Sequence, residues 1–363
     1  MNLKYPSRVE PNPLESRDNS IGFLRLMLAS MVIFDHAYEL GGAPASNALR
    51  WLIEPICELA VPGFFVLSGL LITRSFIASK SIGSFFKKRA FRIMPGYYAC
   101  LLVMVLIFGP LIAVAESGSL SGYFNLAKDG PLFYLVNNIA LLQRQASFNE
   151  LLATVPYPNA MNGSLWTLFN EAVCYIMIAL IGIVGVYRRA PWLMIVFALG
   201  LLGILNLPPD VINQLPDRIQ RTGFKFMLIE HFLWFALGSL AWLFRDRIVL
   251  NRWLALLALV LTATALYTGS RHILLPIPFA YLLIWLAYAM PYFKNIDAKR
   301  DLSYGVYVYA FPVQQTLALF GVHQWGYVPY VVSTFLFVIP LAWLSWTYVE
   351  RPFIMKKSPA KVH

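Results

Sequence analysis

Ionisable side chains lie inside the first apolar stretch of the chain. Residues 20–40 (SIGFLRLMLASMVIFDHAYEL) are long enough to cross a bilayer as a helix, yet they include Arg25, Asp35 and His36. Such groups are costly in hydrocarbon and usually face protein or water. Ten residues separate Arg25 from His36, which places them roughly 16 Å apart along a helix. A guanidinium can bind an anion, and an imidazole exchanges protons near neutral pH. This helix can therefore bind an anion near one face of the membrane and exchange protons near the other.

Further polar groups recur at a similar depth in later apolar segments. His36 lies near the outer end of the first segment, and Glu171, Glu230 and His231 lie six or seven residues into inward-running segments. At helical rise these positions all fall within roughly 10 Å of the outer boundary. This layer predicts a water-accessible cavity that opens outward. Other polar residues at or just below this depth are Asn170, Gln314 and Gln315.

A basic cluster precedes the third apolar segment. The run FFKKRAFR at 85–92 carries four positive charges, and Arg89 and Arg92 are three residues apart, on one face of a helix. Two guanidiniums at this spacing suit a phosphate group approached from the cytosol. The cluster is equally typical of an ordinary cytoplasmic loop signal or of a contact with anionic lipid.

The composition is that of a polytopic membrane protein. The chain has 363 residues, of which 59% are hydrophobic and 13% charged, and its mean hydropathy is +0.62, which excludes a soluble globule. The net charge of +11 lies mostly in loops beside apolar segments, which argues against nucleic-acid binding. Cys57, Cys100 and Cys174 form no close pair and no metal-ligand spacing, so we interpret them as packing residues.

The expected fold is an all-α bundle of about ten membrane-spanning helices. The distribution of Lys and Arg predicts that both termini are cytoplasmic, with tails at 1–19 and 351–363 and one membrane domain at 20–350. The connection 116–164 is expected outside, where its apolar piece 132–142 is too short to span and predicts an interfacial or re-entrant helix. The candidate spans are about 20–40, 56–73, 92–115, 165–187, 191–206, 224–244, 252–268, 272–290, 302–320 and 327–349.

Six sequence segments, spread over nearly the whole chain, form a recognisable set. They are Arg25 with His36, VPGFFVLSGLLIT at 61–73, RAFRIMP at 89–95, NGSLWTL at 162–168 leading to Glu171, SYGVYVYAFP at 303–312 and ERP at 350–352. These segments resemble signatures of the acyltransferase-3 family of integral membrane acyltransferases. Two departures are the replacement of a frequent family histidine by Ala310 and of a family proline by Phe169.

This resemblance implies transfer of an acyl group, most often acetyl, from cytosolic acyl-CoA to a carbohydrate hydroxyl at the outer face. The expected acceptors are exopolysaccharide, O-antigen or a lipid-linked saccharide, and the expected location is the bacterial inner membrane. Acetyl-CoA is then a cosubstrate, with no permanently bound cofactor and no metal. Many relatives carry a fused extracytoplasmic hydrolase-like domain, whereas this sequence ends eleven residues after Pro352. The chain is therefore expected to act either without such a domain or with a partner, for which proteins of polysaccharide synthesis are the candidates.

The resemblance also assigns roles to individual side chains. Arg25, Arg89 and Arg92 would bind the phosphates of the donor, and His36 would act as general base on the acceptor hydroxyl. Glu171 would orient or polarise His36, while a transient acyl group on His36 is the rival mechanism. Depth in the membrane, with no family motif behind Glu230 and His231, predicts a candidate acceptor pocket that comprises Asp35, Trp166, Glu230 and His231.

Other interpretations of the same residues stay open from the sequence alone. Arg25 can snorkel to the interface, and Glu171, Glu230 and His231 can serve as contacts between helices. A transporter or flippase for a lipid-linked sugar would also need about ten spans and intramembrane charges. A noncatalytic scaffold of a polysaccharide-synthesis complex would tolerate the change His36→Ala. Neither alternative explains why a basic cytosolic cluster accompanies a histidine near the outer face.

Overall fold

Helices make up all the regular secondary structure in the part of the chain that the computed structural model describes, which is residues 12–16, 18–42, 48–208, 211, 223–296 and 300–355. The larger helices are α1 (Ile21–Leu40), α2 (Ala48–Cys57), α3 (Ala60–Ile77), α4 (Ile82–Val103), α5 (Gly109–Ser117), α6 (Pro131–Asn138), α7 (Trp166–Ile183), α8 (Leu193–Leu205), α9 (Gly223–Leu243), α10 (Arg252–Thr268), α11 (Pro276–Ala289), α12 (Leu302–Leu319) and α13 (Tyr327–Leu344). Each predicted span overlaps at least one of these helices.

Within the described part of the chain, five helical stretches are long and apolar enough to cross a membrane. The shorter apolar helices are α8, most of α9, α10 and α11, so the all-helical membrane bundle agrees with the structure while the count of ten spans stays a prediction. The five stretches are Ile21–Leu40, Leu49–Ile77, Ile82–Ser117, Trp166–Ile183 and Tyr327–Ile354.

Helix α12 lies at the centre of the bundle. Every residue from Ser303 to Ala318 is buried, because α1, α4 and α13 pack around it. Its polar side chains bond to neighbouring backbone: Gln314 Nε2 donates to Ile33 O at 2.9 Å and Gln315 Nε2 donates to Ala160 O at 2.8 Å. The prediction that these glutamines line an open cavity is therefore wrong. They hydrogen-bond α12 to α1 and to the connection 116–164.

Helices α3 and α9 approach each other closely at two glycines. A Cβ atom on Gly69 would lie 2.0 Å from the carbonyl oxygen of Phe235, and one on Gly238 would lie 1.9 Å from that of Val66. Small residues of this kind let two backbones touch within a membrane. The contact fixes one side of α3, so the opposite side of this helix presents its residues from a rigid support.

The basic cluster lies inside α4 and does not precede it, which corrects the predicted start of the third span. Ser81 caps the helix, since its side chain accepts from Ser84 N at 3.1 Å while Ser84 Oγ accepts from Ser81 N at 3.3 Å. The helix therefore begins at Ile82, and Arg89 and Arg92 occupy its second and third turns. Both arginines are held in rigid register with the membrane part of α4.

The connection 116–164 packs onto the bundle through buried amides. Within it α6 forms where the short apolar piece was predicted, and Asn138 Oδ1 accepts from Arg144 N at 2.9 Å and from Gln145 N at 3.2 Å. Asn162 is buried and its Nδ2 donates to Val308 O of α12 at 2.8 Å. This bond sets the position from which α7 enters the bundle.

All three cysteines, Cys57, Cys100 and Cys174, are buried and free of disulfide bonds. This placement agrees with their interpretation as packing residues.

Candidate active site

Two adjoining cavities occupy the space between α1, α3, α4, α7 and α12. They share the wall formed by Arg25, Ser68, Glu171 and Tyr304, and each holds about 50 Å³. The guanidinium cavity is lined in addition by Leu71, Ile72, Arg89, Arg92, Ile93 and Tyr175. The aromatic cavity is lined in addition by Val61, Phe64, Phe65, Thr167, Leu168, Ser303 and Tyr307.

The aspartate Asp301 holds two of the arginines in the guanidinium cavity. Arg25 Nη1 donates to Asp301 Oδ2 at 2.8 Å, and Arg92 Nη2 donates to the same oxygen. Ser303 Oγ donates to Asp301 Oδ1 at 2.7 Å. The carboxylate thus joins α1 and α4 at the start of α12 and fixes the direction in which both guanidiniums point.

The charges around Asp301 predict that its contribution to the stability of the fold depends on pH. Burial alone would raise the pKa of this carboxyl, but Arg25 and Arg92 outweigh burial and lower the pKa to about 2. A folded-state pKa below that of the unfolded chain stabilises the fold above the unfolded value, and this contribution disappears as the pH falls through the folded one. We expect Asp301→Asn to lower the melting temperature in detergent above about pH 4, with the difference from wild type shrinking toward pH 2.

The matched control for this prediction is Asp18→Asn. Asp18 accepts from Lys294 Nζ at 2.8 Å with its side chain 58% exposed, and such a surface ion pair contributes little to stability. A deficit of Asp301→Asn that grows as the pH falls would contradict the assignment.

Arg89 is the third guanidinium of this cavity. Its Nε is buried and has no hydrogen-bond partner among the described residues. An unpaired nitrogen on a buried guanidinium is a donor that an anionic ligand can use.

Glu171 lies in the wall common to both cavities. Its Oε1 accepts from Ser68 Oγ of α3 at 2.9 Å and from Tyr175 Oη, one turn further along α7, at 2.6 Å. The sequence predicted that this carboxylate would orient His36, but the structure gives it these two hydroxyl partners and no hydrogen bond to His36. The hydroxyls on α3 and α7 face the same cavity and hold the carboxylate on that side.

His36 lies outside the lining of both cavities. Its ring packs edge-on against Phe311 of α12, with the ring centroids 5.4 Å apart and an interplanar angle of 81°. Its Nδ1 is buried and has no hydrogen-bond partner among the described residues. The imidazole therefore keeps one nitrogen available, and Phe311 holds the orientation of the ring.

Comparison with known proteins decides the class to which this site belongs. Residues 18–347 match the acyltransferase domain that defines the acyltransferase-3 family. The chain belongs to this family. It is 28% identical to an O-acetyl transferase of Shigella phage Sf6 over 354 residues, which cover 94% of this chain and 98% of the relative. It is 26% identical to Nodulation protein 10 of Rhizobium leguminosarum bv. viciae over 362 residues, 92% of each chain. No solved structure matches it.

These matches confirm the predicted family and the prediction of an O-acetyltransferase enzyme. Together with the apolar helices they show a multi-pass membrane acyltransferase. The two cavities are then one place within the acyltransferase where arginine and glutamate side chains meet a space that can accept a ligand.

The structure does not bring the four predicted acceptor residues into one pocket. His231 Nδ1 is hydrogen-bonded to Asn170 Nδ2 at 2.9 Å, and its ring stacks between Phe65 at 4.1 Å and Trp166 at 5.5 Å. His231 and Trp166 therefore support the far side of the aromatic cavity wall without lining it. Asp35 lines neither cavity.

Glu230 lines neither the guanidinium cavity nor the aromatic cavity of the acyltransferase. It accepts from Trp234 Nε1 at 3.3 Å and lines a separate cavity of about 280 Å³ with Glu58 and Arg271. Glu230 and His231 do not share a pocket because adjacent residues on a helix point about 100° apart. Equal depth in the membrane therefore did not mean a shared cavity.

Several residues of the acyltransferase site escaped the sequence argument. Asp301 comes just before the SYG signature and is 276 positions from Arg25, so no local pattern pairs them. Ser68 and Tyr307 lie inside matched segments, but serine and tyrosine are common in membrane helices and gave no separate signal. Tyr175 was detectable only as the residue one helical turn after Glu171.

Proposed function

We propose that this acyltransferase transfers an acetyl group from cytosolic acetyl-CoA to a hydroxyl of an extracytoplasmic or lipid-linked carbohydrate, in the inner membrane of a bacterium. The observation that carries the proposal is the convergence of Arg25, Arg89 and Arg92 on one cavity that continues past Glu171. Three guanidiniums on a single space suit a ligand with several phosphates.

The guanidinium cavity would receive the phosphates of the donor. Asp301 offsets part of the charge of Arg25 and Arg92, while Arg89 keeps a buried nitrogen without a partner. A phosphate would give that nitrogen the charge-assisted bond that it lacks. The thioester end of the donor would then extend past Ser68 and Glu171 toward the aromatic cavity.

The acceptor side rests on different support. The name of the Shigella phage relative supports acetyl as the group transferred and oxygen as the acceptor atom. Phe64 and Tyr307 line the aromatic cavity and pack with their ring centroids 5.7 Å apart. The apolar C–H faces of a carbohydrate suit such an aromatic wall.

In the chemistry that we propose, His36 takes the proton of the acceptor hydroxyl. The oxygen forms a bond to the acetyl carbonyl carbon, and coenzyme A departs as the thiol. His36 fits this role because its Nδ1 is buried and without a partner among the described residues, and because a neutral imidazole nitrogen can accept a proton from a hydroxyl. A transfer in one step and a transfer through an acetylated side chain both end with this proton movement.

The test is an assay of sidedness with membrane vesicles of both orientations. Inside-out vesicles expose the cytoplasmic face and should consume external acetyl-CoA, release free thiol and place acetyl on a carbohydrate enclosed in the lumen. Right-side-out vesicles should do so only when acetyl-CoA is enclosed. Vesicles that lack the protein are the control. Movement of a lipid-linked saccharide without loss of thioester would overturn the proposal in favour of a transporter.

A further inference from the structure

We infer that Ser68 carries the acetyl group transiently between coenzyme A and the carbohydrate. This inference deepens the proposed function and rests on it, because the donor is taken to be acetyl-CoA. It assigns a catalytic role to a hydroxyl on α3 and a covalent intermediate to the acyltransferase. Glu171 then acts on Ser68 and not on His36.

The hydrogen bonds around Ser68 are those of an activated nucleophile. Ser68 Oγ donates to Glu171 Oε1 at 2.9 Å, and Tyr175 Oη holds the same oxygen at 2.6 Å. A nucleophile within hydrogen-bond reach of a base, with a third group orienting the base, is the arrangement that covalent catalysis requires. Arg25 lines both cavities beside this pair, so positive charge is available where the thioester carbonyl would become negative.

The bonding of Ser68 differs from that of a serine with a local role in a helix. Ser30 of α1 and Ser117 of α5 each donate to the carbonyl oxygen four residues earlier, at 2.9 Å and 2.7 Å. This is the usual way in which a helix satisfies a serine. Ser68 instead reaches from α3 to a carboxylate on α7, across a cavity that also holds guanidiniums.

The position of Ser68 is both central and rigid. It lies in the wall that the guanidinium cavity and the aromatic cavity share, so a thioester entering from one and a hydroxyl entering from the other would meet it. Its neighbour Gly69 packs against the carbonyl of Phe235 on α9. A nucleophile on a locked helix is held in place more precisely than one on a loop.

The reaction balances in two steps. First, Ser68 Oγ forms a bond to the acetyl carbonyl carbon, Glu171 takes the hydroxyl proton, the C–S bond breaks, and the thiolate of coenzyme A takes the proton from Glu171. Second, the carbohydrate oxygen forms a bond to the carbonyl carbon of acetyl-Ser68 while His36 takes its proton. The bond from Ser68 Oγ to the carbonyl carbon breaks, and the proton taken by His36 passes to Ser68 Oγ. No oxidant, reductant or metal is consumed.

The two half-reactions can be separated by an isotope-exchange assay without carbohydrate. Radiolabelled coenzyme A and unlabelled acetyl-CoA are incubated with the purified protein in nanodiscs, and label in acetyl-CoA is measured. Only an acetylated enzyme can return acetyl to free coenzyme A. Wild type should exchange label, Ser68→Ala should lose exchange by roughly 100-fold or more, and His36→Ala should keep exchange while it loses transfer to carbohydrate.

The matched control is Ser239→Ala. Ser239 is buried, receives a hydrogen bond from Thr73 Oγ1 at 2.9 Å between α3 and α9, and lines neither cavity. It should retain exchange and transfer, which separates loss of the nucleophile from damage to this helix pair. Ser68→Cys guards against a folding defect, because its acetyl adduct would be a thioester that neutral hydroxylamine releases, at the peptide that contains residue 68.

Each remaining outcome is decisive. Exchange retained in Ser68→Ala, or an acetyl group found on His36 with exchange lost in His36→Ala, would overturn the inference. Wild type that acetylates carbohydrate but shows neither exchange nor an adduct would also overturn it and leave the proposed function intact. Wild type that consumes no acetyl-CoA with any acceptor would remove the proposed function and this inference together.

Discussion

The variant His36→Ala should transfer acetyl to carbohydrate about 100- to 10,000-fold more slowly than wild type, the range expected when a general base is lost. The imidazole is held by Phe311 with Nδ1 buried and free of partners among the described residues. The loss should fall on kcat, because His36 does not line the guanidinium cavity, which is the proposed donor site. The measurement is the initial rate of acetylated product against acetyl-CoA concentration.

A second histidine on the same side of the bundle is the control. His323 lies in the turn Val322–Trp325 that joins α12 to α13, and His323→Gln should keep the wild-type rate. Equal melting temperatures of the three proteins would show that the fold is unchanged. If His36→Ala transfers acetyl at the wild-type rate, His36 is not the base and the proton must leave by another group.

The variants Arg89→Ala and Arg92→Ala should each raise the KM for acetyl-CoA by about ten- to a hundredfold. A hydrogen bond to a charged group contributes about 1.5–3 kcal/mol, and each 1.4 kcal/mol is a factor of ten. Arg89 gives the clearer result, since its Nε has no partner among the described residues. Its removal therefore deprives none of the described carboxylates of an ion-pair partner. Removing Arg92 also takes a partner from Asp301. The measurement is release of free thiol against acetyl-CoA concentration.

Charge and shape can be separated with two further variants. Lys87→Ala with Lys88→Ala removes two positive charges from α4, but both side chains are exposed and neither lines the guanidinium cavity. This double variant should keep the wild-type KM. Arg89→Lys should recover only part of the affinity, because an ammonium lacks the planar fork of a guanidinium. An equal rise of KM in the lysine double variant would mean that the cluster acts by net charge, as a contact with lipid would.

The family pattern and the hydropathy of the chain predict most of the helices and the class of enzyme. Apolar segments of sufficient length must become helices in a bilayer, where every backbone amide needs an internal partner. The ten predicted ranges therefore overlap helices in the structure. Arg89 and Arg92 line one cavity because their spacing of three residues is a property of any helix.

Helix boundaries and contacts between polar side chains were harder to predict from the sequence. The start of α4 was misplaced because hydropathy detects the membrane part of a helix, whereas the Ser81 cap sets where the helix begins. The prediction that polar residues at similar depth share one cavity was wrong for a related reason. Depth along a helix can be counted from the sequence, but the direction of Gln314 or Glu230 around the bundle depends on which helices are neighbours.

The sequence by itself determined that this protein is a helical membrane acyltransferase with an arginine pair, a histidine and a glutamate available for chemistry. Only the tertiary structure decided which of these groups meet. Asp301 joins Arg25 to Arg92, and Glu171 bonds Ser68 instead of His36. The physical reason is that helix formation follows local patterns of a few residues, whereas a hydrogen bond between helices depends on packing that brings together positions more than a hundred residues apart.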